Sequence, residues 1–82
     1  MTMYRRRTYV PPPAVPDFFG RWRRRGNQVV LWRPGSSVEG TVVDLAVLRG
    51  EHRDAEIARV QSKSWVTAAD IDALRRISGM SA

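Results

Sequence analysis

The side chains in this chain that could do chemistry are mostly arginines and aromatic rings. Its single histidine, His52, stands between Glu51 and Asp54 in a polar stretch. A lone imidazole flanked by carboxylates has the functional groups of a general base or a metal ligand, but that setting reads as a solvated loop. Asp70 and Asp72 are two apart, a spacing that turns their carboxylates away from each other on a helix. The serines have no plausible base, Gly35 and Gly40 do not make a phosphate loop, and there is no cysteine. The sequence therefore implies no catalytic residues, no metal site and no cofactor, and the chain is read as a non-enzyme.

Arginine and aromatic chemistry, by contrast, is concentrated at one end. Seven of thirteen arginines (Arg5, Arg6, Arg7, Arg21, Arg23, Arg24 and Arg25) lie in the first 25 residues, against one acid, Asp17. That segment accounts for the whole net charge of +6, because residues 26–82 balance to zero. Five of the seven aromatic residues, Tyr4, Tyr9, Phe18, Phe19 and Trp22, share the same segment. Arginine clusters neutralise phosphates and release counterions, and interleaved rings offer flat faces on which exposed bases stack. The same groups also suit an acidic protein surface, with Phe18, Phe19 and Trp22 as apolar anchors. A fold-back arrangement, with those three rings packed on the chain's own body, is the plain structural alternative.

The elements that position these groups divide the chain into an extended Arg/Pro/aromatic arm at 1–25 and a small α+β domain at 26–82. Pro11, Pro12, Pro13 and Pro16 fix φ and remove amide donors, which predicts a polyproline II spacer of roughly 20 Å over Val10–Pro16. Asp17 can cap one helical turn that gathers Phe18, Phe19 and Trp22 on a face, although Gly20 weakens it. Gly26-Asn27 signals a turn and Gln28–Arg33 a strand, broken by Pro34-Gly35-Ser36-Ser37. Val38–Leu48, apolar on both faces of a strand, is expected to be the central one. Residues 55–64 are ambiguous, and a strand hairpinned to the central one is preferred. Thr67 as N-cap, the stripe Ala68, Ile71, Leu74 and Ile77, Arg75 and Arg76 in the last turn and Gly79 as the stop predict a helix over 68–78.

Val38-Glu39-Gly40-Thr41-Val42-Val43-Asp44 resembles the strand entry of SH3-like small barrels. The expected fold is therefore a small antiparallel sheet of three or four strands, or a partly closed SH3-like barrel, with one C-terminal helix. Asp70–Ser81 resembles the first helix and glycine turn of a helix-turn-helix, but a sheet-packed helix is the stronger reading. About 57 residues of body make a thin core, which favours association as a homo-oligomer or within a larger assembly. No apolar run reaches the roughly 18–20 residues of a membrane span and no signal-peptide core follows the basic start, so a cytoplasmic, membrane-free protein is expected. Two functions fit. One is a nucleic-acid-binding accessory protein, for RNA or DNA, working through the arm. The other is an assembly or adaptor protein, such as a phage-like particle component or an inhibitor of a larger enzyme.

Overall fold

The computed structural model describes residues 13–80. It is a small α+β fold: an open four-stranded antiparallel sheet of order β1-β2-β3-β4, followed by three helices. The strands are β1 (Phe18–Phe19), β2 (Trp22–Arg25), β3 (Gln28–Trp32) and β4 (Glu39–Asp44); the helices are α1 (Leu45–Leu48), α2 (Arg53–Gln61) and α3 (Ala68–Ser78).

Two glycines set the first three strands. Gly20 and Gly26 adopt φ of +60° and +62°. Each is the first of two residues linking paired strands, since Phe19 pairs with Trp22 and Arg25 with Gln28. A left-handed glycine in that position makes the primed turn whose twist suits a hairpin. The expected helical turn at Asp17–Trp22 is thus a β-hairpin instead, because Gly20 accepts positive φ at no steric cost. Arg25 ends β2 where the second turn begins, and Phe18–Phe19 and Trp22–Arg25 are strands of the sheet. Val15 is also buried with the core, so the folded unit reaches back at least that far.

Two further expectations are corrected. The apolar segment after Val38 is a strand only as far as Asp44, whose Oδ1 accepts a hydrogen bond from the Ala46 amide at 2.8 Å and caps α1. Leu45 and Leu48, three apart, are buried by that helical turn rather than by a strand. β4 is an edge strand, not the central one. Residues 53–61 form a helix that buries Ile57 and Val60 on one face. Its Glu56 and Arg59 are joined one turn apart, and alanine, glutamate and arginine favour a helix where only two apolar β-branched residues argue for a strand. Arg59 also donates to the Val42 carbonyl at 3.0 Å, covering part of the β4 edge that would otherwise be open to pairing.

The C-terminal helix has the expected bounds and caps. Thr67 Oγ1 accepts from the Asp70 amide at 3.2 Å, and the Asp70 carboxylate accepts from the Thr67 amide at 3.0 Å. This reciprocal capping box satisfies two amides that the helix itself leaves unpaired. All three helices lie against one sheet face, where Trp22, Val29, Leu31 and Val43 meet Leu45, Leu48, Ile57, Val60, Ile71, Leu74 and Ile77.

Candidate functional site

Strand alternation sends the side chains of β1–β4 to two faces. Phe19, Trp22, Leu31, Val29, Thr41 and Val43 point to the helical layer, in line with their burial. Phe18, Arg23, Val30 and Val42 form one row across the opposite face, set by the pairings Phe18 with Arg23, Arg23 with Val30 and Val30 with Val42. Arg25, Gln28 and Asp44 form the next row on one side of it, and Trp32 stands two residues from Val30 on the other. None of the three helices covers this outer face.

The residues singled out in the sequence separate sharply. Tyr4, Arg5, Arg6, Arg7 and Tyr9 lie outside the described residues. Trp22 is only 1% exposed, and its indole N–H donates to the Asp70 carbonyl at 2.9 Å. It is a core residue and cannot stack on a base. Arg21 grips the Asp70 carboxylate with two bonds, Nε to Oδ1 at 3.0 Å and a terminal nitrogen to Oδ2 at 2.6 Å. Burial pushes the Asp70 carboxyl up, but the hydrogen bonds from Arg21 and Thr67 outweigh it and hold the pKa below the ordinary value. Arg24 donates to the carbonyls of Val15, at 2.8 Å, and Gly26, at 2.9 Å. These three side chains hold the hairpins to the rest of the chain. Phe19 is half-buried against the core, beside an open groove of about 360 Å³ lined by Gly20, Ala69, Asp72, Ala73 and Arg76.

Three predicted residues remain on the outer face. Phe18 is 67% exposed, and the Arg23 guanidinium sits 5.6 Å from its ring centroid. That distance is within cation–π range, and among the described residues Arg23 has no hydrogen-bond acceptor. Arg25 makes a two-pronged pair with Glu39. Hydrogen bonding holds the Glu39 carboxyl below, and raises the Arg25 guanidinium above, their ordinary values. The register puts Arg25 and Glu39 at opposite corners of this face with Val30 midway between them. Val30 is fully buried although it lies outside the core cluster.

Sequence reasoning did not assign Trp32, Val42 or Glu39 to a site. The signal available was alternation along β3, where Val29 and Leu31 face the core and Val30 and Trp32 face away. Trp32 is half-buried, and its indole N–H donates to the Ser37 carbonyl at 3.4 Å. His52 is exposed, 3.6 Å from Glu51. Among the described residues no helix is long and apolar enough to cross a membrane. Comparison with protein-family models, curated proteins and solved structures finds no match for the chain.

Proposed function

We propose that this protein is a non-catalytic nucleic-acid-binding accessory protein, in which the basic N-terminal segment and the outer sheet face share the contact. The observation that carries this reading is the Phe18–Arg23 pair: an exposed ring and a guanidinium with no hydrogen-bond acceptor among the described residues, together on the sheet face that none of the three helices covers. The charge supports it, since +6 in 82 residues attracts a polyanion and the excess lies in the first 25. The geometry also supports a narrower assignment of the arginines. Arg21, Arg24 and Arg25 are engaged within the fold, so Arg5, Arg6, Arg7 and Arg23 are the primary phosphate-binding set, and Arg25 joins it only by leaving Glu39.

Four engaged phosphates give a log–log salt slope of about −2.8 on a single strand. The test is a salt titration of labelled-oligonucleotide binding, by fluorescence anisotropy, with the full-length protein and an Arg5→Gln/Arg6→Gln/Arg7→Gln variant. The variant should flatten the single-strand slope by about 2. Absence of oligonucleotide binding at low salt would overturn the reading in favour of an acidic protein partner.

A further inference from the structure

We infer that the outer face of the sheet is a platform for single-stranded nucleic acid, with a base stacked on Phe18 and a phosphate taking the Arg25 guanidinium from Glu39. This rests on the nucleic-acid reading above and specifies the form of the ligand and its path.

Shape selects the single strand. Strands about 4.8 Å apart make the four-stranded face about 14 Å across before side chains are added. A B-DNA major groove is about 12 Å wide and admits a helix or a two-stranded ribbon. The β2–β3 ribbon is flanked on both sides, by β1 and β4, so it cannot enter alone. A duplex also hides the base faces that an exposed aromatic ring could meet, whereas a single strand offers every one. Phe18 lies on the short edge strand, open to solvent, with Arg23 beside it to follow the backbone. Trp32, two strands over and two residues along, lies about 12 Å from Phe18 by strand spacing and rise. It provides a second aromatic surface on the same face.

Arg25 supplies the chemistry of the second contact. Two oxygens of Glu39 meet two terminal nitrogens of its guanidinium, the forked arrangement that a phosphate also satisfies. Both partners are exposed to solvent on the face where the strand would run, so the exchange replaces one two-oxygen anion with another. Glu39 is thus an internal competitor. Asp44, the other acid of this face, is occupied in capping α1.

The experiment measures anisotropy of fluorescein-labelled oligothymidylate and of a duplex of the same length with full-length protein, Phe18→Ala, Phe18→Leu and Glu39→Gln. Thermal melting reports the fold of each variant. Phe18→Ala should weaken oligothymidylate binding between about five- and 150-fold and leave duplex binding unchanged, with Phe18→Leu close to Phe18→Ala. Glu39→Gln should tighten single-strand binding several-fold and steepen its salt slope by about 0.7. If Phe18→Ala fails to fold, Glu39→Gln carries the test alone. Wild-type affinity for oligothymidylate in both Phe18 variants would overturn the platform while leaving a nucleic-acid-binding arm in place. An unchanged slope and affinity in Glu39→Gln would overturn the exchange at Arg25. Failure of the wild type to bind either oligonucleotide would overturn the platform and the proposed function together.

Discussion

Arg21 and Arg23 are two residues apart on one hairpin, and the structure gives them opposite work. Replacing each by glutamine separates stability from binding. Arg21→Gln removes two hydrogen bonds to a carboxylate that is itself nearly inaccessible, with side-chain exposures of 41% for Arg21 and 4% for Asp70. A charged hydrogen bond to a buried group contributes about 1.5–3 kcal/mol, and an exposed ion pair about 0–1 kcal/mol. Arg21's exposure places this pair between those limits, at about 1–2 kcal/mol. Asp70 keeps the Thr67 amide as a donor, so it is not orphaned by the change. At about 4–8 °C per kcal/mol for a domain of this size, Tm should drop by about 4–16 °C. Arg23→Gln leaves no described hydrogen bond unmade, loses the exposed cation–π contact with Phe18 and should stay within about 1 kcal/mol of wild type. In oligonucleotide titrations the order reverses: Arg23→Gln flattens the single-strand slope by about 0.7, and Arg21→Gln leaves it unchanged. The assays are thermal melting by circular dichroism and a salt series of anisotropy titrations. A wild-type Tm for Arg21→Gln, or equal slope changes from the two variants, would refute this division.

Gly40→Ala should destabilise by about 1–3 kcal/mol, read by chemical denaturation. Its Cβ would stand 2.5 Å from the Trp65 ring and 2.8 Å from the Arg33 backbone nitrogen, and unchanged stability would mean that Trp65 does not pack there. Trp22→Phe, which loses the indole donor to the Asp70 carbonyl, should cost about 1–3 kcal/mol with no change in oligonucleotide affinity below its melting point. An affinity loss at unchanged Tm would instead put that ring in the interface. Asp70 has a depressed pKa in the folded state, so its stabilisation is present above the unfolded value of about 3.9 and lost as pH falls through the folded one. Tm should therefore decline below about pH 4, and Asp70→Asn should flatten that decline while lowering Tm at neutral pH.

Much of the fold was legible because local chemistry and tertiary packing agree there. The helix at Ala68–Ser78 has its N-cap, its apolar stripe and its basic last turn in sequence order, and each behaves as local rules require. Elsewhere a residue has two local meanings and the tertiary structure chooses between them. Gly20 breaks a helix or opens a hairpin; six residues before Gly26, it does the second, and Trp22 is thereby delivered to the core. Asp44 is polar enough for an exposed strand face, yet its side chain ends the strand and starts α1. Ile57 and Val60 are three apart in a segment of good helix formers, and burial of both on one face decides for the helix. The candidate site was legible only as a composition. Charge clustering marked the first 25 residues, but among the described residues it could not separate Arg21, Arg24 and Arg25, which hold carboxylates and carbonyls, from Arg23. That sorting depends on Asp70 and Glu39, which lie 49 and 14 residues away from their arginine partners.

The central claim is that nucleic acid meets the outer face of the sheet, and amide chemical-shift mapping tests it most directly. Labelled full-length protein titrated with oligothymidylate should show its largest perturbations in the described region at Phe18, Arg23, Val30 and Trp32. The amides of Ile57, Leu74 and Ile77 behind the sheet should stay still. Perturbations gathered on α2 and α3, with the row from Phe18 to Val42 unmoved, would contradict the account.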